Sequence, residues 1–491
     1  MTNFNWYIDG SIVLIYLVCI VVTGLWMRRF VHNVADYLVA GRKVDVYLGI
    51  ASLAATEFGI VTCMANAQLG YKYGFSGITP GIATTFAMFL VGWTGFCIKP
   101  LREEKVITLP ELFERKFGQK VRWASGLVIV LGGLLNMGVF LRMAGDFLTE
   151  TMGISTEYLE ILMTGLLIVV ALYTILGGML SVLVTDYFQF ILMSIGLLSV
   201  TAICFAKFGW EPLTEHLQHT KGEMAFNPFH GGTYGLDRIL LDLFVAFASV
   251  LTWQTMLSRV LSAKDAKTGQ KIYMGTSPFF LVRFGIPVFI GIAAFYYFSQ
   301  TGNMPEKEIM AFPTFIAAIV PVGLMGILIA GMLAADMSTN SSYLLAWSSV
   351  IYNDILAPFH KHQWSEKKAL YVNRMLVAGI GIFLLLYGLW YPLKGDLWVY
   401  LQVTGTIYLA SMSVILIAVC YWDKANDWGA IAAILVGSII PITFLVLQQL
   451  ESTKELAAAI GPYKSGVATY FLTALAMVVG SYLKGMVNDE R

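Results

Sequence analysis

The chain has 491 residues, 57% of them apolar and only 13% charged, with a mean hydropathy of +0.71 and a formal net charge of +1. Soluble domains carry nearer to about a quarter charged residues, and a chain this close to neutral has no electrostatic pull on nucleic acid or an acidic partner. The five cysteines (Cys19, Cys63, Cys97, Cys204 and Cys420) lie apart, without a CxxC pair or a nearby histidine, which argues against zinc and against a disulfide framework.

No hydrophilic stretch is long enough for a soluble domain, so a single membrane domain over residues 1–491 is expected. The first apolar run is long, ends in Arg28-Arg29 and lacks a cleavable signal pattern. Apolar runs long enough to cross a bilayer then recur to the end of the chain. They predict about thirteen helical spans, near 10–28, 46–74, 79–99, 122–149, 156–176, 180–207, 236–261, 274–299, 321–352, 368–391, 395–420, 427–449 and 464–485. Basic residues set the orientation. With the N-terminus outside, 22 of the 32 lysines and arginines fall on the cytoplasmic side, including Arg259 to Lys271, Lys361 to Arg374 and Arg491. Eight fall outside, and Arg142 and Arg283 fall within spans. The expectation is a multi-pass protein of the plasma (inner) membrane, N-terminus out and C-terminus cytoplasmic.

Several spans carry polar residues that an apolar helix does not need. The second, within 48–77, holds Glu57, Gly59 and two threonines. An ionised carboxylate there costs several kcal/mol unless partnered or hydrated, and a glycine-interrupted span is where carbonyls come free to bind a cation. A kinked packing helix with a paired glutamate is the alternative. On the fourth span Arg142 and Asp146 are spaced to neutralise each other. The sixth contains Thr185-Asp186, and a buried aspartate must find a cation or donors. All six histidines fall in expected loops, three of them in 208–235, which is read as solvated. On the ninth, Ala335, Ser338, Thr339 and Ser342 share one helical face. Such a stripe is either a close-packing surface or a row of hard oxygen donors suited to sodium. For Asp336 beside it the readings are a place facing a vestibule, a protonated carboxyl and, favoured, a structural ion pair.

Spans two to six and seven to eleven form two blocks of five, and odd blocks enter the membrane from opposite sides, the parity of an inverted repeat. At these residues the chain resembles the sodium:solute symporter family, whose members carry proline, galactose, sialic acid, pantothenate or monocarboxylates. The strongest stretch is PVGLMGILIAGMLAADMSTNSSYLLAWSSVIYNDIL at 321–356, supported by AGRKVD (40–45), ITLPELFERKFG (107–118), YTILGGMLSVLVTDYFQ (173–189) and WQTMLSRVLSAKDAK (253–267). The resemblance implies an all-α membrane fold with a five-plus-five inverted-repeat, leucine-transporter-like core. One helix and its loop would precede the core (1–45), the repeats would cover 46–207 and 236–420, and two helices would follow (427–485).

The resemblance also implies alternating access, inward sodium-coupled transport, no catalytic residues and no cofactor beyond the coupling ion. It maps a main sodium site onto the carbonyls of Ala55, Phe58 and Ala335 and the hydroxyls of Ser338 and Thr339. A second maps onto Asp186, Ser338, Ser341 and Ser342. Solute-facing positions map to Glu57, Thr62, Gln254 and Gln402, with Trp253 and Thr255 departing from the family beside Gln254. Arg42 lies fifteen residues before Glu57, as an arginine does in the proline carrier, and becomes a candidate for coupling. Glu57 tilts the solute toward an amine such as an amino acid. The alternatives are a sugar or monocarboxylate, coupling to protons, or a solute sensor that does not transport.

Overall fold

The computed structural model describes residues 2–30, 34–230, 234–359, 364–391 and 396–489. Lys361 and Arg491, both counted in the charge argument, lie outside the described residues. Among those described there is no strand, only an isolated bridge between Val44 and Ala263. The fold is all-helical.

In chain order the principal helices are α1 (Asp9–Met27), α2 (Val46–Thr56), α3 (Ile60–Tyr73), α4 (Thr79–Thr94), α5 (Gln119–Met137) and α6 (Phe140–Met152). There follow α7 (Leu159–Phe208), α8 (Leu236–Thr252), α9 (Gln254–Ser262), α10 (Ala266–Thr301) and α11 (Leu324–Val350). The series closes with α12 (Glu366–Trp390), α13 (Leu397–Tyr421), α14 (Asp427–Gln449) and α15 (Pro462–Asp489). Every expected span falls on one of these helices or on a pair of them. By length and apolarity, nine segments among the described residues are able to cross a membrane.

Three departures from regular helix organise the molecule. α7 has 50 residues, about 75 Å at 1.5 Å per residue, well beyond the ~30 Å hydrocarbon core. Gly178 breaks it, at φ 56 and ψ −154, so the fifth and sixth expected spans are its two arms. A Cβ at Gly178 would lie 2.5 Å from the ring of Tyr37. The second break separates α2 from α3 at Glu57–Gly59, and the third separates α8 from α9 at Trp253, whose backbone is extended. Each expected five-helix block therefore begins with an interrupted helix, the arrangement that exposes carbonyls at mid-membrane. The break at Trp253 has neither glycine nor proline to announce it.

α11 is buried on nearly every face and packs chiefly against α7. A helix buried all round is a core element. Its first turn is capped from elsewhere: Asp9 Oδ1 accepts the amides of Gly323 and Gly326 at 2.7 Å each. A carboxylate at a helix N-terminus satisfies orphan amides and the positive dipole end together. α3 and α10 meet backbone to backbone. A Cβ at Gly70 or Gly291 would stand 2.0 Å from a carbonyl oxygen of the other helix, so only glycine permits this approach. The segment 208–235, expected to be a solvated loop, instead holds a helix at Trp210–Lys221, and His216 packs its ring on Phe295 and Tyr296.

Candidate functional site

The break between α2 and α3 lies against α11. Glu57 ends α2, and its amide and that of Phe58 turn back onto Leu53 and Ala55. Gly59 is extended and opens α3 without a side-chain cap. Thr339 faces this gap, donating to the carbonyl of Thr56 at 2.8 Å and of Ala335 at 3.0 Å. A Cβ at Gly59 would come within 2.9 Å of the Thr339 hydroxyl. Ala55, Phe58, Ala335, Ser338 and Thr339 are all buried where the broken helix passes α11. This donor set is carbonyl and hydroxyl oxygen, which suits a hard monovalent cation.

The second set is also brought together, around a group the sequence argument had placed elsewhere. Asp186 on α7 accepts from Ser338 at 2.5 Å and Ser52 at 2.5 Å. Between these groups lies the guanidinium of Arg259 from α9, fully buried. It donates to Asp186 Oδ2 at 3.2 Å, Thr56 Oγ1 at 2.5 Å, Ser342 Oγ at 2.6 Å and Ser52 Oγ at 3.1 Å. Ser341 turns its hydroxyl to the Ser338 carbonyl, 3.0 Å away. Arg259 is thus corrected from a charge on the cytoplasmic side to a buried one: a buried arginine needs a fixed anion and acceptors for its fork, and Asp186 with the hydroxyls of Ser52, Thr56 and Ser342 supplies them.

Next to the break, α3, α4, α5, α8, α10, α11 and α13 enclose about 760 Å³ of empty space, counted with its mouth. Of the expected solute-facing residues, Glu57, Thr62, Trp253 and Gln402 line it. Thr255 stands behind, donating to Glu57 Oε1 at 2.7 Å. Gln254 is buried but does not line the cavity. Arg42 is remote: it donates to the carbonyl of Lys105 at 2.7 Å. The cation facing Glu57 is Arg283 of α10, at 3.8 Å. Trp253 donates to the hydroxyl of Tyr343 at 3.0 Å and stacks on Tyr408, so aromatic rings form one wall.

Two charged residues of the cavity region went unassigned from sequence. Asp242 on α8 lines it, accepting from Tyr234 at 2.5 Å and Gln402 at 2.6 Å. Arg238, one turn earlier and counted outside by charge, is fully buried, with the rings of Tyr73, Tyr234 and Tyr463 at 4.5, 4.4 and 5.2 Å. Its ion-pair partner is Asp396, at 4.0 Å. The signal for Asp242 was the one used for Glu57 and Asp186: an acid within an apolar run. The expected ion pair of Asp336 is corrected. Its partner is the amide of Asn340, one turn on at 2.7 Å, and among the described residues it makes no ion pair. Arg142 and Asp146 do pair, at 3.3 Å.

An all-helical core with interrupted helices, buried oxygen donors at the interruption and a polar cavity beside it is the arrangement in which membrane transporters hold ions and solutes. The model of the sodium:solute symporter family matches residues 37–437, and the chain belongs to that family. It is similar to the sodium/glucose cotransporter 4 of Danio rerio, 26% identical over 91% of this chain and 72% of the relative. It is also similar to the sodium/myo-inositol cotransporter 2 of Sus scrofa, 26% identical over 89% of this chain and 70% of the relative. Among solved structures, a sodium-coupled sialic acid symporter in its outward-open state superimposes with a TM-score of 0.83 at 21% identity, covering 97% of both chains. MhsT in complex with L-phenylalanine superimposes at 0.53 and 13% identity, over 90% of this chain and 98% of the other. The family and these relatives are transporters, not enzymes.

Proposed function

We propose that the chain carries a small polar organic solute into the cell together with sodium, by alternating access. In this reading it lies in the plasma (inner) membrane with its N-terminus outside and its C-terminus in the cytoplasm. The observation that carries the reading is the contact of the Glu57–Gly59 break with Thr339. One side of that break offers carbonyls to an ion, and Glu57 on the same break faces the cavity. Sodium bound by Ala55, Phe58, Ala335, Ser338 and Thr339 would tie α2–α3 to α11 and so fix the cavity wall. The coupling is then a shared structural element, reciprocal between ion and solute. A second sodium at Asp186, Ser338, Ser341 and Ser342 would compete with Arg259, which already donates to Asp186 Oδ2 and Ser342 Oγ. The repeats are taken as 46–207 and 236–420.

The names of the relatives favour a second reading of the solute, a polyhydroxylated compound such as glucose or myo-inositol. Uptake into vesicles containing the purified chain tests the coupling. A panel of sugars, inositols, sialic acid and amino acids should include a solute accumulated only under an inward sodium gradient. Accumulation of that solute driven by a pH gradient in the absence of sodium would overturn sodium coupling.

A further inference from the structure

The charged groups of the cavity are unevenly satisfied, and their pattern describes the solute. Arg283 carries five N–H donors, yet among the described residues its side chain makes a single hydrogen bond, to Thr62 at 3.4 Å, and reaches Glu57 only at 3.8 Å. Among the described residues its Nε has no partner. Phe280 and Phe284 flank it with their rings. A guanidinium only 12% exposed and so loosely held lacks the planar, two-oxygen acceptor that its geometry matches best, a carboxylate. Asp242 presents the opposite need. Among the described residues its oxygens take one hydrogen bond each, from Gln402 and Tyr234, which leaves lone pairs on both. By spending its amide N–H on Asp242, Gln402 fixes its own orientation, and its Oε1 is buried without a donor. Both residues are 2% exposed. A carboxylate and an orphan amide oxygen side by side call for an N–H-rich cation.

We infer that the cavity is built for a zwitterion, its ammonium held by Asp242 and Gln402 Oε1 and its carboxylate by Arg283. This rests on the symport reading above. Two carboxylates (Glu57 and Asp242) and one guanidinium line the cavity, and Arg238 behind Asp242 is paired with Asp396, which leaves the region one positive charge short. Sodium at the neighbouring break would supply that charge, so a solute with no net charge and two separated ionic ends completes the balance. The amine partner is thereby moved from Glu57, which already has Arg283 and Thr255, to Asp242. A polyol would meet the hydrogen-bond needs of Gln402 but not the charge of Arg283.

The test uses the full-length purified chain and heat-induced unfolding in sodium chloride and in choline chloride. The probes are glycine, β-alanine, γ-aminobutyrate and L-proline, with their N-acetyl and methyl-ester derivatives, and myo-inositol and glucose. At least one zwitterion should stabilise the chain in sodium. Its N-acetyl and ester derivatives should bind at least tenfold more weakly. Asp242→Asn should weaken the zwitterion at least tenfold while the variant elutes as a single monodisperse species and unfolds in one cooperative transition, which establishes that it is folded. Gln402→Leu should weaken it less. The proposal is overturned if no zwitterion in the panel stabilises the chain, if a polyol binds while the zwitterions do not, or if Asp242→Asn leaves zwitterion affinity unchanged. If sodium alone has no effect on the unmodified chain, the symport reading itself falls.

Discussion

Arg259 donates to Asp186 across 3.2 Å, with both side chains fully buried and hydroxyls of Ser52, Thr56, Ser338 and Ser342 completing the cluster. Four separated parts of the sequence meet there. Taking two charges out of water costs several kcal/mol per ion, so the pair holds only because its remaining hydrogen-bonding capacity is met.

Removing one partner should therefore be worse than removing both. Arg259→Met alone is expected to cost about 3–5 kcal/mol, since it strands the Asp186 carboxylate. Arg259→Met with Asp186→Leu should recover much of that loss. Thermal unfolding of the three proteins in detergent decides it. If the double variant is less stable than the single one, the two residues do not act as a charge pair.

Thr339 bridges the break and α11 through two hydrogen bonds. Thr339→Ala should raise the sodium concentration needed for half-maximal stabilisation at least tenfold, about 1.4 kcal/mol in binding. Thr339→Ser, which keeps the hydroxyl, should stay within about threefold of the parent, roughly 0.7 kcal/mol by the same conversion. Equal responses from the alanine and serine variants would remove Thr339 from the sodium site.

The α3–α10 contact leaves no room at Gly291, where a Cβ would lie 2.0 Å from the Ala67 carbonyl. Gly291→Ala should cost about 1–3 kcal/mol, as overpacking does. Gly485, where nothing lies within 4 Å of an added Cβ, provides the control: Gly485→Ala should be neutral or slightly stabilising. The comparison is made by midpoint of heat-induced aggregation; two equal shifts would mean that the helices do not meet at Gly291.

Arg238 holds together the ends of α3, α8, α13 and α15 through three tyrosine rings and Asp396. Cation–π contacts that are desolvated are worth about 2 kcal/mol or more. Arg238→Gln should therefore loosen this end of the molecule. A single cysteine placed at Ser249 in the cavity wall, in a variant lacking the native cysteines, should react faster with a charged maleimide when Arg238→Gln is added. An unchanged rate would mean that Arg238 does not restrict access.

The helical scaffold was legible because length and apolarity alone recover spans, and because a carboxylate or a hydroxyl stripe is conspicuous inside one. Glu57, Asp186, Ser338 and Thr339 were found in that way, and the structure gathers them. Partners were not legible. Arg259 looked like a loop charge because it closes a span on the basic side, and nothing local says that its side chain turns inward to meet Asp186. Sequence spacing points to Arg42 beside Glu57, whereas the contact with Arg283 runs between two helices distant in sequence and leaves no mark in spacing. The break at Trp253 was missed because tertiary packing imposes it on residues that carry no helix-breaking signal. Asp336 was assigned an ion pair on the general cost of a buried charge, but its neighbour Asn340 supplies a hydrogen bond one turn away instead.

The central claim is that sodium binds where the interrupted helix meets α11. Equilibrium binding of radiolabelled sodium to the purified chain, with and without Ser338→Ala/Thr339→Ala, tests it most directly. The account predicts saturable binding that excess potassium does not displace and that the double variant loses, although the variant remains monodisperse. Saturable binding of equal affinity in the double variant, or no saturable binding to the parent chain, would contradict it.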